Sequence, residues 1–109
     1  MASTIYVYQR IGLATKNQTS FLVDLMNQYL PRLNYQYTHC GSCSDHASWT
    51  ENSFPAVMAC ECTDAIRNPN YHRPTDLVET INEDYMSNFA RLGVYYIAEL
   101  AKGTINNNV

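Results

Sequence analysis

A chain of 109 residues with a formal charge of −3 and 16% charged residues is long enough for one small domain, burying ~65% of its unfolded surface. Seven Lys and Arg set against ten Asp and Glu, with no basic cluster, offer little attraction to a phosphate backbone and argue against nucleic-acid binding. No run approaches the eighteen or so apolar residues of a membrane span, and Met1-Ala2-Ser3-Thr4 lacks the basic-then-apolar pattern of a signal peptide.

In chain order, Thr4 to Gln9 reads as a β-strand, because Ile5 and Val7 alternate with Tyr6 and Tyr8, residue types that fit a pleated surface. Thr19 and Ser20 supply an expected N-cap. Phe21, Leu22, Leu25, Met26, Tyr29 and Leu30 then recur at helical spacing until Pro31 stops the run. A short strand is expected over Asn34 to Tyr37 and a helical turn over Asp45 to Glu51. Ala56 to Cys60 is an apolar run of strand length, as in an interior strand covered on both faces. The stretch from Glu61 to Thr75 is polar, contains Pro69 and Pro74, and reads as a loop. From Glu83 onward, Tyr85, Met86, Phe89, Leu92, Tyr96, Ile97 and Leu100 form one stripe of a helix. Glu83 and Asp84 sit at its positive end, Lys102 at its negative end, and Gly103 is the expected stop. Residues 104–109 are expected to form a frayed tail. No repeat interrupts the alternation of strands and helices, so residues 1–109 read as a single α/β segment.

Four cysteines leave two readings open. Cys40 and Cys43 form a CxxC, and Cys60 and Cys62 a CxC. In an extracellular protein these read as disulfides, and neighbours on one strand such as Cys60 and Cys62 point to opposite faces and do not easily share a partner. In a cytosolic one the same four residues read as thiols or as a weak structural zinc site. Asn17-Gln18-Thr19 has the form of a glycosylation sequon, a triplet common by chance.

The loop from Glu61 to Thr75 leaves the end of an apolar strand, where open α/β sheets gather their ligands, and it carries His72. A neutral imidazole is a good zinc donor, and a carboxylate four residues on, Asp76, is suited to hold the other ring nitrogen. The plainer reading is a solvated loop histidine beside a helix-capping Asp76. Ser44, Asp45 and His46 contain the three groups of a nucleophilic triad, but consecutive side chains point in different directions and cannot form its hydrogen-bond chain, so a triad is rejected. Taken alone, Asp45 reads equally well as an N-cap and Trp49 as a core anchor.

Several of these features occur together, in the order Met26-Asn27-Gln28-Tyr29-Leu30-Pro31, then Cys40-Gly41-Ser42-Cys43, then Ser44-Asp45-His46-Ala47-Ser48-Trp49, then Phe54-Pro55-Ala56-Val57-Met58, then His72 with Asp76 four residues on. That order resembles the two-zinc aminopeptidases of the bacterial leucyl aminopeptidase type, within the zinc-dependent exopeptidase superfamily, from about Ile5 to Lys102. The SDHASW run carries most of the specificity. The resemblance implies a C-terminal segment of a three-layer α/β/α fold with a mostly parallel, mixed sheet. It further implies a parent that is secreted or extracytoplasmic, binds two zinc ions and removes N-terminal residues from peptides.

Carried over residue by residue, the resemblance makes His72 the last metal ligand, with Ser44, Asp45 and Asp76 close behind the metal centre and His46 and Trp49 packing the following helix. It places Met58, Cys60, Asp64, Arg67 and Tyr71 in the pocket for the N-terminal side chain. Met58 and Tyr71 keep the apolar character of that pocket, while Cys60, Asp64 and Arg67 stand where aromatic groups are common. It pairs Cys40 with Cys43 in a disulfide, closing a loop one residue shorter than in the family pattern.

A co-catalytic zinc pair needs about five protein ligands and a general base. Only one ligand is visible here. No HxD or Glu-Glu pair occurs, and His39 and His46 belong to the region around SDHASW. The expectation is therefore a segment inactive by itself, whose other ligands and base lie upstream and whose apolar surfaces need the upstream part or self-association. The alternative is a free-standing α/β module that binds protein through its Tyr-rich faces, with or without a structural zinc on the four cysteines.

Overall fold

The computed structural model describes residues 4–9, 13–39, 44–61, 63 and 67–106. Its organising element is β1 (Thr4–Gln9), the middle strand of a three-stranded mixed sheet. β1 pairs in parallel with β2 (Asn34–His39), register Thr4 to Asn34 through Gln9 to His39. It pairs antiparallel with β3 (Met58–Cys60), register Tyr6 to Cys60 and Tyr8 to Met58. Between β1 and β2 the chain passes through α1 (Leu13–Tyr29); α2 (His46–Glu51) precedes β3, and a 3₁₀ turn at Val78–Thr80 leads into α3 (Glu83–Asn106).

The two-residue period of β1 divides the structure into faces. Ile5 and Val7 are fully buried and meet Leu22, Val23, Leu25 and Met26 of α1 and Tyr85 and Leu92 of α3. Burying each of these aliphatic side chains contributes about 1.5–3 kcal/mol. Val57 and Ala59 pack against the same core, Ala59 beside Val7 in the register. Tyr8, of opposite parity, is buried against the ring of His46 on α2, so α2 covers the other face. The phenols tie the helices together. Tyr85 donates its hydroxyl to the Thr4 carbonyl, Tyr96 donates to Gln18 Oε1, and Tyr29 donates to Glu99 Oε1 at 2.8 Å while stacking on Tyr95 at 4.4 Å. The bond to Glu99 is the main cause that raises the Tyr29 pKa, which keeps that hydroxyl a donor.

Four expectations are corrected here. α1 begins at Leu13, so Thr19 is a buried interior residue and no cap; the two turns ahead of it expose Lys16 and Asn17 and show no apolar period. The apolar run at residues 56–60 becomes a three-residue strand at the edge of the described sheet, half-buried throughout. α3 continues through Gly103 to Asn106, and residues 107–109 lie outside those described. The stripe on α3 splits in two. Tyr85, Phe89, Leu92, Tyr95 and Tyr96 face the core, while Met86, Val94, Ile97 and Leu100 face outward, Ile97 at 70% exposure. Between Met86 and Ala101 the exposed residues of α3 include a single charged side chain, Arg91.

A solvated helix face is ordinarily charged, so this one is unusually apolar for an exposed surface. Leu77, Val78 and Ile81 extend the apolar exposure just ahead of α3. The radius of gyration, 15.0 Å, exceeds the ~13 Å of a compact chain of this length. At micromolar concentration the chain is expected to sediment as a self-associated species, and Val94→Glu with Ile97→Glu should return it to monomer. A wild-type monomer that binds no apolar dye would show that the face is tolerated bare.

Candidate functional site

His72 lies in a tight turn after β3 that is built on backbone hydrogen bonds. The Tyr71 amide donates to the Asn68 carbonyl at 3.0 Å, Arg73 to Asn70 at 3.0 Å and Asp76 to Arg73 at 3.0 Å. The Asn68 side chain accepts from the Asn70 amide and donates to Glu61 Oε1 at 3.1 Å, fastening the turn to the end of β3. The Asn68-Pro69-Asn70 run is the sequence signal for this arrangement. His72 itself has φ 57, the left-handed region. Histidine enters that region more readily than most residues, yet at a cost of about 1–3 kcal/mol, and such outliers gather at functional sites. Its exposed ring stacks on Tyr71 with centroids 3.9 Å apart and planes 19° apart, a contact of about 0.5–1.5 kcal/mol that offsets part of the strain.

The other site residues fall into two groups, because β3 runs antiparallel to β1. Met58 sits beside Tyr8 at the carboxyl end of β1, and Cys60 beside Tyr6 toward its amino end, about 7 Å away. The loop carrying His72 therefore leaves the sheet at the amino ends of β1 and β2, and the rule that ligands gather at carboxyl ends does not place it. At the carboxyl end, Ser44, Asp45, His46 and Met58 line a groove of about 490 Å³ with Val57 and Tyr96. At the other end, Cys60 and Asp76 line a groove of about 460 Å³ with Glu61, Asn82 and Met86.

Asp76 is exposed and makes no hydrogen bond to His72 among the described residues. Ser44 and Asp45 are exposed at the start of α2. Asp45 occupies the cap position with helical φ −56 and ψ −31 and forms no side-chain cap bond, so the N-cap reading fails. Trp49 is 58% exposed against Phe54 and is not a core anchor. Arg67 holds its guanidinium over the Tyr71 ring, 5.9 Å from the centroid. Cys40, Cys43, Cys62 and Asp64 lie outside the described residues, and with them the disulfide and the four-cysteine site.

The donor set decides what metal chemistry this chain can carry. Among the described residues no three of His, Cys, Asp and Glu come together as a metal-holding group. The lone imidazole of this turn does not hold a zinc pair, so the ion does not fit these residues alone and no catalytic step is assigned to them.

With this geometry in hand, the chain can be placed. It belongs to Peptidase family M28, whose profile matches residues 2–97. It is 36% identical over 98 residues to leucine aminopeptidase 1 of Trichophyton equinum, covering 84% of this chain and 26% of that protein. To leucine aminopeptidase 1 of Arthroderma otae it is 41% identical over 101 residues, covering 86% and 26%. Two crystal structures of the LapA aminopeptidase of Legionella pneumophila share the fold with TM-scores of 0.81 and 0.80 at 34% identity, covering 91% of this chain and 27% and 26% of theirs. The chain thus spans about a quarter of the length of the relatives it matches. The expected fold, a segment of an α/β exopeptidase with a mixed sheet, is borne out.

Sequence reasoning missed the state of His46. Its side chain is 5% exposed, and neither ring nitrogen has a hydrogen-bond partner. An unpaired buried polar group costs about 1–3 kcal/mol, whereas an apolar group of similar shape removes that cost. His46→Leu is therefore expected to leave stability unchanged or raise it by about 1 kcal/mol, measured by chemical denaturation. A loss above about 2 kcal/mol would mean that the ring nitrogens have partners in solution.

Proposed function

We propose that this chain forms the carboxyl-terminal part of a zinc-dependent aminopeptidase that removes N-terminal residues from peptides, and that it does not hydrolyse peptides by itself. The observation that carries the reading is the M28 match over nearly the whole chain, at 34–41% identity to proteins named leucine aminopeptidase, joined to a chain offering one exposed histidine in a strained turn. In this reading His72 is one of about five ligands to two zinc ions. The other ligands, among them the bridging carboxylate, and the general base come from chain outside these residues. That further chain is also the natural cover for the bare face of α3.

Met58 and Cys60 would form part of the wall receiving the N-terminal side chain. Both are half-buried, and their shared parity puts them on the same face of β3. Such a wall suits an apolar side chain. Ser44 and Asp45, exposed beside Met58, would shape the mouth of the site. Asp76 would orient His72 once the rest of the site closes around the turn.

In the full-length enzyme His72→Ala is expected to lose about one zinc per chain and most activity, and Asp76→Asn to weaken zinc binding by roughly 10- to 100-fold. Metal content by mass spectrometry is the check, and unchanged stoichiometry in His72→Ala would remove the ligand assignment.

A secreted or extracytoplasmic parent would hold Cys40 and Cys43 as a disulfide. Thiol labelling of the unfolded, unreduced chain should then reach Cys60 and Cys62 at most. Labelling at all four would rule the bridge out.

A further inference from the structure

We propose that Tyr71 is a positioning residue for His72, holding the imidazole in a fixed orientation before any metal arrives; this rests on the reading of His72 as a zinc ligand. Adjacent side chains of an extended strand point to opposite sides. Here the left-handed backbone at His72, φ 57, brings its ring onto the preceding one, at 3.9 Å between centroids and 19° between planes. The strained dihedral and the ring contact are thus one feature, with the contact as the gain that the dihedral makes possible.

Tyr71 is in turn held from more than one direction. The Arg67 guanidinium lies over its ring at 5.9 Å, within cation–π range. Its amide is bonded to the Asn68 carbonyl, and the Asn68 side chain reaches Glu61 at the end of β3. A mechanical path therefore runs from the sheet through Glu61, Asn68 and Tyr71 to the His72 ring. An exposed histidine without such support would sample several rotamers, and ordering it would weaken metal binding. The ring face engaged with His72 is not available to a substrate, which leaves the rest of the ring for the pocket wall. The phenol hydroxyl plays no part in this, which separates Phe from Ala at the position.

The test uses proton NMR of the 109-residue chain with labelled histidine, carrying Val94→Glu and Ile97→Glu to keep it monomeric. The His72 ring protons are expected upfield of those in an unstructured peptide, from the ring current of Tyr71, with the amide coupling of a left-handed residue. Tyr71→Phe should keep both signatures and Tyr71→Ala should lose both, while the β1 amide resonances stay in place as the control for folding. In the full-length enzyme Tyr71→Ala should weaken zinc binding by roughly 10-fold or more, as is usual when a ligand loses the group that orients it, with Tyr71→Phe close to wild type. A wild-type His72 without the upfield shift overturns the proposal, as does a Tyr71→Ala chain that keeps the shift or the zinc affinity. Failure of the underlying reading looks different: His72→Ala would then keep its zinc while the ring-current signatures still follow Tyr71.

Discussion

The burial of Ile5 and Val7 is the constraint on which the rest of this structure hangs. A strand with both inward side chains at zero exposure must be roofed by elements distant in sequence, and α1 and α3 provide that roof. Its backbone must also be bonded on both edges, which fixes β2 and β3 beside it. Once β1 is set, parity does the remaining sorting: Ala59 joins the core, and Met58 and Cys60 turn to the face shared with Tyr8 and α2. The candidate site is arranged by residues that take no part in its chemistry.

The opposing direction of β3 has a functional corollary. A purely parallel sheet collects its loops, and so its ligands, at one end. Here the groove with Ser44, Asp45 and Met58 and the groove with Cys60 and Asp76 open at different ends of a very short strand. Three residues span only about 7 Å from Met58 to Cys60, so the two grooves are separate on this chain yet near neighbours.

Much of this was legible in the amino-acid sequence, and the exceptions have physical causes. The SDHASW run and the lone His72 pointed to the exopeptidase family, and the alternation in β1 gave its inward face. Thr19 misled because a hydroxyl ahead of an apolar run looks like a cap, while the polar first turns of α1 carry no period to read. The run at residues 56–60 and the stripe on α3 misled in a shared way: apolar patterning reports that a surface is meant to be covered, without naming the cover. The left-handed backbone of His72 is permitted by its residue type without being marked by it, and the unpaired nitrogens of His46 leave no trace in residue type or spacing. They arise from tertiary fit, so only coordinates could show them.

The hydroxyl of Tyr85 bonded to the carbonyl of Thr4 spans 81 positions of chain, and the parallel register of β1 with β2 already spans thirty. Within these residues the strand made earliest is thus the one whose shelter arrives last. Until α3 is made, Ile5 and Val7 have only α1 with Val57 and Ala59 to lie against, and closing so long a loop has to come before the contact that rewards it. Formation of the α3 contact is therefore the step with the longest loop to close among these residues. A polypeptide stalled before residue 85 would have both edges of β1 paired yet leave the α3 side of its core open to whatever else is nearby.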